Sequence, residues 1–181
     1  MTAYRARLTE TDIRRLIKAT DDDDRAAAAH KLCRNMEKAE LSGEEREAAQ
    51  KILRMLAHDA AELVRRAMAV TLKSSDLIPR DVARVLAADV DSVALPLISF
   101  SPAFSDEDLI EIVRAGSALR QVAVAGRPAV GRDVAAAVAD VGCEQAVRTL
   151  AANDNADVAE AALERCVDRF GRSPEIVAAI A

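Results

Sequence analysis

The sequence has no tryptophan, one tyrosine and three phenylalanines in 181 residues. A core built from it has no large aromatic anchor. It must be filled by alanine, valine and leucine, which lets helices approach closely. The apolar stretches are short and broken by charges, so none can span a bilayer. The first residues, MTAYRARLTETD, lack the apolar centre of a signal peptide. The three cysteines, Cys33, Cys143 and Cys166, are odd in number and widely spaced, which speaks against a disulfide framework. These absences point to a cytoplasmic protein without a membrane partner. The chain also lacks GxGxxG, a P-loop lysine and Gly-x-Ser-x-Gly, and two histidines leave little for acid–base chemistry. The expectation is a non-enzyme with no catalytic residues and no cofactor.

Positive charge is scarce in the second half. Up to Ser74 there are 15 basic and 13 acidic residues, a net of +2; from Ser75 onward there are 10 and 17, a net of −7. Every lysine lies at or before Lys73. Nucleic-acid binding needs clustered positive charge on one face, so an acidic half without lysine disfavours a nucleic-acid partner.

What the chain does have is helical periodicity. In EEREAAQKILRMLAHD the apolar residues Ala48, Ala49, Ile52, Leu53, Met55 and Leu56 recur at three- and four-residue spacing. Ser42 with Glu45, and Ser105 with Asp108, read as capping boxes. Pro79 and Pro174 suit the first turn of a helix. Gly116, Gly126, Gly142 and Gly171 follow apolar runs, where a left-handed cap is expected. SVALPLISF and QVAVAG are rich in β-branched residues but recur where other copies of a repeat are helical. They are read as short helices, the first kinked or truncated near Pro96.

The repeat aligns ILRMLAHDAAELVRRAMA, VARVLAADVDSVALPLIS, LIEIVRAGSALRQVAVA and VAAAVADVGCEQAVRTLAA. Each opens with an apolar run reaching Leu56, Leu86, Val113 or Val138, then turns, then places an apolar residue at Val64, Val93, Leu119 or Val147. With a fifth unit, LERCVDRFGRSPEIVAAIA, the steps are 30, 27, 25 and 29 residues. Such a period predicts helical hairpins stacked side by side, each burying its apolar face on the next. The expected fold is all-α, a HEAT-like α-solenoid of roughly eleven or twelve short helices. Residues 1–57 form three N-terminal helices continuous with the stack, residues 52–181 the repeats, and the whole is one structural domain. The apolar PEIVAAIA lacks the polar outer face of a terminal repeat. It predicts either a homodimer through this helix or a longer parent protein.

Candidate sites are few. Asp21 to Asp24 precede RAAAAHKLCRNMEKAE, where carboxylates cap a helix and complement its dipole better than they bind a cation. His30 and Cys33 share a helix face, but zinc needs three or four ligands and no others have suitable spacing. AHKLCRN faintly resembles the phosphoaccepting helix of histidine phosphotransfer domains, matching at Ala29, His30 and Leu32, while Cys33 and Arg34 stand where lysine and glycine would be. That makes His30 the phosphoacceptor of an alternative reading, a phosphotransfer or phosphate-dependent regulatory domain. Arg65, Arg120 and Arg148 each follow an inward apolar anchor and would align down one side of the stack, with Arg66 beside them. This row suits an acidic or phosphorylated segment of a protein partner. The structural counter-reading pairs Asp59 with Arg65 and Asp140 with Arg148, bracing neighbouring repeats.

From about Leu41 to Phe170 the chain resembles a bacterial family known as domain of unknown function 2336. The residues alike are LSGEEREAAQKILRMLAHD, LVRRAMA, LIPRDVARVLAAD, FSDEDLIEIV, VAVAGRP and AVRTLAAN. The resemblance implies a helical-repeat module in signalling or regulation through protein contacts, with no catalytic residue or cofactor to carry over. It also implies that relatives continue past this point. The leading expectation is a non-enzymatic scaffold for protein–protein interaction.

Overall fold

In a computed structural model the chain is described over residues 21–180, with side chains through Ala178. The first of the three expected N-terminal helices falls outside the described residues. Among the described residues there are eleven α-helices and no strand. They are α1 (Asp22–Lys38), α2 (Gly43–Ala57), α3 (Glu62–Leu72), α4 (Arg80–Ala87), α5 (Asp91–Phe100), α6 (Asp106–Ala115), α7 (Ala118–Ala125), α8 (Arg132–Val141), α9 (Glu144–Ala151), α10 (Glu160–Phe170) and α11 (Pro174–Ile180). A lone parallel bridge pairs Val130 with Ala156.

Side-chain capping explains two of the helix starts. The Ser42 hydroxyl accepts from the Glu45 N–H, and the Glu45 carboxylate accepts from the Ser42 N–H at 3.0 Å. Ser105 and Asp108 repeat this reciprocal pairing at the start of α6. α1 begins earlier than expected: Asp22, Asp23 and Asp24 lie in its first turn, and the N-cap residue Asp21 makes no side-chain cap bond. Their carboxylates therefore act through the helix dipole. α5 is not truncated at Pro96 but runs on to Phe100. Proline removes one N–H from the helix ladder without ending it here.

The expected left-handed glycine caps do not form: no residue among those described has a positive φ. Gly116 and Gly142 cap α6 and α8 in extended conformation, each N–H bonding four residues back at 2.8 Å, to Ile112 O and Val138 O. Glycine is required for closeness instead of handedness. A Cβ on Gly116 would lie 2.3 Å from Ile112 O, and one on Gly142 would lie 2.5 Å from Val138 O.

The described residues group into two compact units. One runs through Leu97 and includes Ser101–Ala103; the other takes Ile98–Phe100 and everything from Phe104 onward. In the first unit α1 packs on α3, and α2 packs on both α3 and α4. Its core is aliphatic, with Leu32, Met36, Leu53, Met68, Leu72 and Leu86 essentially without solvent exposure. The ten residues 51–60 and the ten residues 81–90 are KILRMLAHDA and DVARVLAADV, and their burial follows the same order at all but one position. Thirty residues therefore separate equivalent positions here: Leu56 matches Leu86, and Asp59 matches Asp89.

In the second unit α6 packs on α8 and α8 on α10, while α7 packs on α9 and α9 on α11. Successive helices also pair: α6 with α7, α8 with α9, α10 with α11. α8 begins 26 residues after α6 and α9 begins 26 after α7 (106 to 132, 118 to 144), each with the same length as its counterpart. The bridge from Val130 to Ala156 links positions 26 apart as well (130 to 156).

Candidate functional site

The cap positions set the register of each helix, and they separate the candidate arginines. Counted from its own N-cap, Arg65 stands fourth (Ala61), Arg120 third (Ser117) and Arg148 fifth (Cys143). With the 26-residue offset of the second unit, Arg148 matches Val122 and Arg120 matches Ala146. The two do not occupy equivalent positions. The cause is Leu119, taken as an inward anchor but 59% exposed. The inward position matching Val147 is Gln121, a polar residue. Its side-chain amide donates to Val113 O at 2.8 Å, and its carbonyl accepts from the Cys143 N–H at 2.8 Å.

Each arginine has its own surroundings. Arg65 is largely buried and clasps Asp89 with Nε and Nη2, the latter at 2.9 Å, while Nη1 donates to Asp59 O at 2.7 Å. Asp59 itself pairs with Arg25, and Asp140 pairs with Arg165. The expected Arg65–Asp59 and Arg148–Asp140 pairs are thus displaced: Arg65 reaches one repeat forward, and Arg148 bonds Gln145 at 2.7 Å and lies near Glu175 at 3.9 Å. Arg25 and Arg65 both stand four residues past an N-cap and both grip an aspartate in a later turn. Arg66 is exposed, and Arg120 is half-buried.

A second polar device closes helix C-termini, whose last carbonyls have no partner within the helix. Arg169 donates to Ala139 O at 2.6 Å and to Gly142 O at 2.8 Å, at the end of α8. Asn153 donates to Ala125 O and Arg127 O, both at 2.9 Å, at the end of α7. Arg127, the residue 26 before Asn153, donates to Ile98 O near the end of α5. Burial pulls the Arg127 guanidinium below its ordinary range, with Asp106 opposing.

His30 is exposed on α1, and its Nδ1 lies 2.7 Å from Thr71 Oγ1 on α3. Among the described residues no group of three or more His, Cys, Asp or Glu could hold a metal ion. A depression of about 590 Å³ is lined by Glu144 and residues 167–173. Arg169 lines it, but its guanidinium is committed to the α8 terminus. No described helix is long and apolar enough to cross a membrane.

The cysteines differ in reactivity. Burial pushes the Cys33 thiol up to about 12, with Glu37 adding to the effect, and burial also raises Cys166. Both are enclosed, whereas Cys143 is half-exposed. Thiolate is the reactive form. In the folded protein iodoacetamide is expected to label Cys143 first, and Cys33 and Cys166 only after denaturant is added. Peptide mapping by mass spectrometry checks this; early labelling of Cys33 would contradict the packing of α1.

Exposed apolar residues cluster by register in the first unit. Met55 on α2 is 71% exposed, and its thirty-residue counterpart Val85 on α4 is 38% exposed. The residue before each is an exposed arginine, Arg54 and Arg84. Met55 is one of the apolar residues that recur at helical spacing, yet it faces out. The signal that distinguishes it is the repeat: Leu53 and Leu56 have buried counterparts at Ala83 and Leu86, while Met55 and Val85 both face out.

No curated protein and no solved structure matches the chain. A family match covers residues 93–181, which start within α5; LSGEEREAAQKILRMLAHD, LVRRAMA and LIPRDVARVLAAD lie before it. Over residues 93–181 the chain belongs to a family of uncharacterised proteins conserved in bacteria, DUF2336.

Proposed function

We infer that the protein is a non-enzymatic helical-repeat scaffold that binds another protein, in bacterial signalling or regulation. The observation that supports this reading is the packing of alternate helices on one another in each unit, with a 26-residue offset carrying α6 and α7 onto α8 and α9. That is the arrangement a HEAT-like solenoid requires, and repeat frames serve binding because they present many side chains from a rigid backbone. The aliphatic core and the turn-to-turn arginine links serve the frame.

The partner-binding surface best supported is the outward face of α2 and α4, in the first unit. Met55 and Val85 supply apolar contact, with Lys51 and the Arg54–Asp81 ion pair exposed around them. The apolar side of an amphipathic helix complements this face. Arg65, originally grouped with Arg66, Arg120 and Arg148 as a docking row, is engaged by Asp89. Arg66, Arg120 and Arg148 remain competing candidates.

The test compares capture of one identified partner by the full chain and by two variants. The double variant Met55→Glu/Val85→Glu is expected to lose at least about tenfold in affinity, as expected for anchor residues. The triple variant Arg66→Glu/Arg120→Glu/Arg148→Glu is expected to bind within a few-fold of wild type. The opposite ranking would move the site to the arginines. No saturable partner for the wild-type chain would overturn the scaffold reading.

A further inference from the structure

The geometry points to His30 as a phosphoryl acceptor, with Nε2 as the nucleophilic atom and Thr71 as its positioning residue. The inference begins with one proton. The Thr71 hydroxyl donates to Ala67 O at 2.5 Å within α3. A hydroxyl has a single hydrogen, so toward His30, 2.7 Å away, Thr71 Oγ1 can only accept. In the neutral imidazole the proton must then sit on Nδ1, and the lone pair on Nε2. The hydrogen bond holds the ring as well as the tautomer, because α1 packs directly on α3.

The surroundings suit an incoming anion. His30 is exposed, while Ala29, Leu32 and Cys33 of the same helix are buried, so the ring stands on a fixed backbone with open access. Arg34, one turn further on the same face of α1, is exposed, and Lys31 is adjacent. Arg34 is the cation placed to meet a phosphoryl group on His30, and guanidinium forks pair well with phosphoryl oxygens. Ala26 and Ala27, one turn earlier, add no bulk and no negative charge.

The chemistry needs no external base. The Nε2 lone pair attacks phosphorus of an activated phosphoryl donor, and an N–P bond forms. The bond from phosphorus to its leaving nitrogen or carboxylate oxygen breaks, and the electron pair departs with that group. Nδ1 keeps its proton and its bond to Thr71 throughout. The product places a dianionic group beside Arg34, which is the kind of charge change that reorganises a protein surface.

The experiment uses the full chain with phosphoramidate as donor, whose nitrogen leaves as ammonia. Incorporation is read by mass spectrometry under neutral conditions and by acid lability. The expected result is one acid-labile phosphoryl group on His30, absent from His30→Gln. His58, exposed at the C-terminus of α2, is the internal reference and should label more slowly. Thr71→Val keeps the shape but removes the acceptor, and should slow labelling by roughly fivefold, the effect of one lost hydrogen bond on a two-state equilibrium. Thr71→Ser should label as wild type does, and circular dichroism should show both variants folded. Equal rates at His30 and His58, or an unchanged rate in folded Thr71→Val, would overturn the assignment. The outcome does not depend on the α2–α4 docking face, which the Met55 and Val85 variants test separately.

Discussion

Alanine at Gly142 is expected to destabilise the protein by about 2–4 kcal/mol, and alanine at Gly116 by at least as much. The reason is a contact with backbone that has nowhere to go. The Gly142 N–H bonds Val138 O at 2.8 Å, closing α8. The same approach brings the position of an added Cβ to 2.5 Å from Val138 O and 3.1 Å from Val138 Cγ1. Relief requires either breaking the closing hydrogen bond or shifting the last turn, where Ala137, Val138 and Ala139 are buried. The first choice leaves polar groups without a partner, and the second opens a close-packed aliphatic layer. Gly116 is tighter, at 2.3 Å from Ile112 O. Gly43 provides the contrast. It is the first residue of α2, and an added Cβ there meets nothing within 4 Å. Gly43→Ala should be neutral or gain up to about 1 kcal/mol, since it restricts only the unfolded chain. Thermal melts decide the matter. A chain of this size loses about 2–4 °C per kcal/mol, so Gly142→Ala should melt roughly 5–15 °C lower. A shift no larger than that of Gly43→Ala would show that the cap tolerates a side chain.

Those glycines illustrate what could and could not be read in advance. Their places at helix ends were legible, because apolar periodicity stops there. The conformation was not, because the demand at Gly116 and Gly142 is closeness to a carbonyl of the last turn, which leaves no sign in the sequence. The two capping boxes were legible because serine and a carboxylate three residues apart satisfy each other locally. The helical nature of SVALPLISF and QVAVAG was legible only through the repeat, against local β-propensity, and tertiary packing overrode that propensity. The register of α7 was misread because hydrophobicity was the guide. Leu119 is apolar and faces out, while Gln121 is polar and faces in, where two backbone groups satisfy its amide. No hydropathy pattern can find an inward glutamine whose partners come from two different turns. The arginine row rested on that register, so Arg120 and Arg148 lost their equivalence with it.

The absence of lysine after Lys73 acquires a physical reason in the same frame. In the second unit Arg127 and Arg169 reach across about one repeat to main-chain carbonyls at the ends of other helices. Arg132 and Arg165 link repeats through Asp157 and Asp140. A guanidinium can donate to two separated oxygens at once in a fixed fork, which a lysine ammonium on a flexible stem does less well. Arg169, holding Ala139 O and Gly142 O together, uses that fork fully. The compositional bias was visible from the start, but it looked like an argument about nucleic acid. Its structural meaning lies in the spacing of carbonyls around helix ends, which only the packed helices reveal.

A link of the same kind in the first unit makes the last prediction. Arg65→Ala is expected to destabilise the first unit by about 1–3 kcal/mol, whereas Arg54→Ala should produce no measurable change. The two pairs have the same chemistry and nearly the same geometry. Arg54 holds both oxygens of Asp81, at 2.7 and 3.2 Å, and Arg65 holds both oxygens of Asp89. Exposure separates them. The Arg54 and Asp81 side chains are 46% and 59% exposed, against 17% and 14% for Arg65 and Asp89. When Arg54 is removed, water and salt solvate Asp81 at once. When Arg65 is removed, Asp89 keeps its charge in a place water reaches poorly, and the carbonyls of Asp59 and Ala60 lose a donor too. Arg54 holds the Asp81 carboxyl below its ordinary range, chiefly through the side-chain hydrogen bond. Whatever stability that pair adds is therefore complete above the unfolded carboxylate range and is lost as pH falls through the lower folded value. Arg65→Lys should recover little of the loss, because one ammonium cannot span the carboxylate and two carbonyls. Urea titrations of the three variants, repeated at high salt, measure the difference. High salt should leave the Arg65 effect in place, since screening acts weakly on a pair shielded from solvent. If Arg54→Ala costs as much as Arg65→Ala, burial is not what distinguishes them, and the forward link from α3 to the turn after α4 has no special part in holding these helices together.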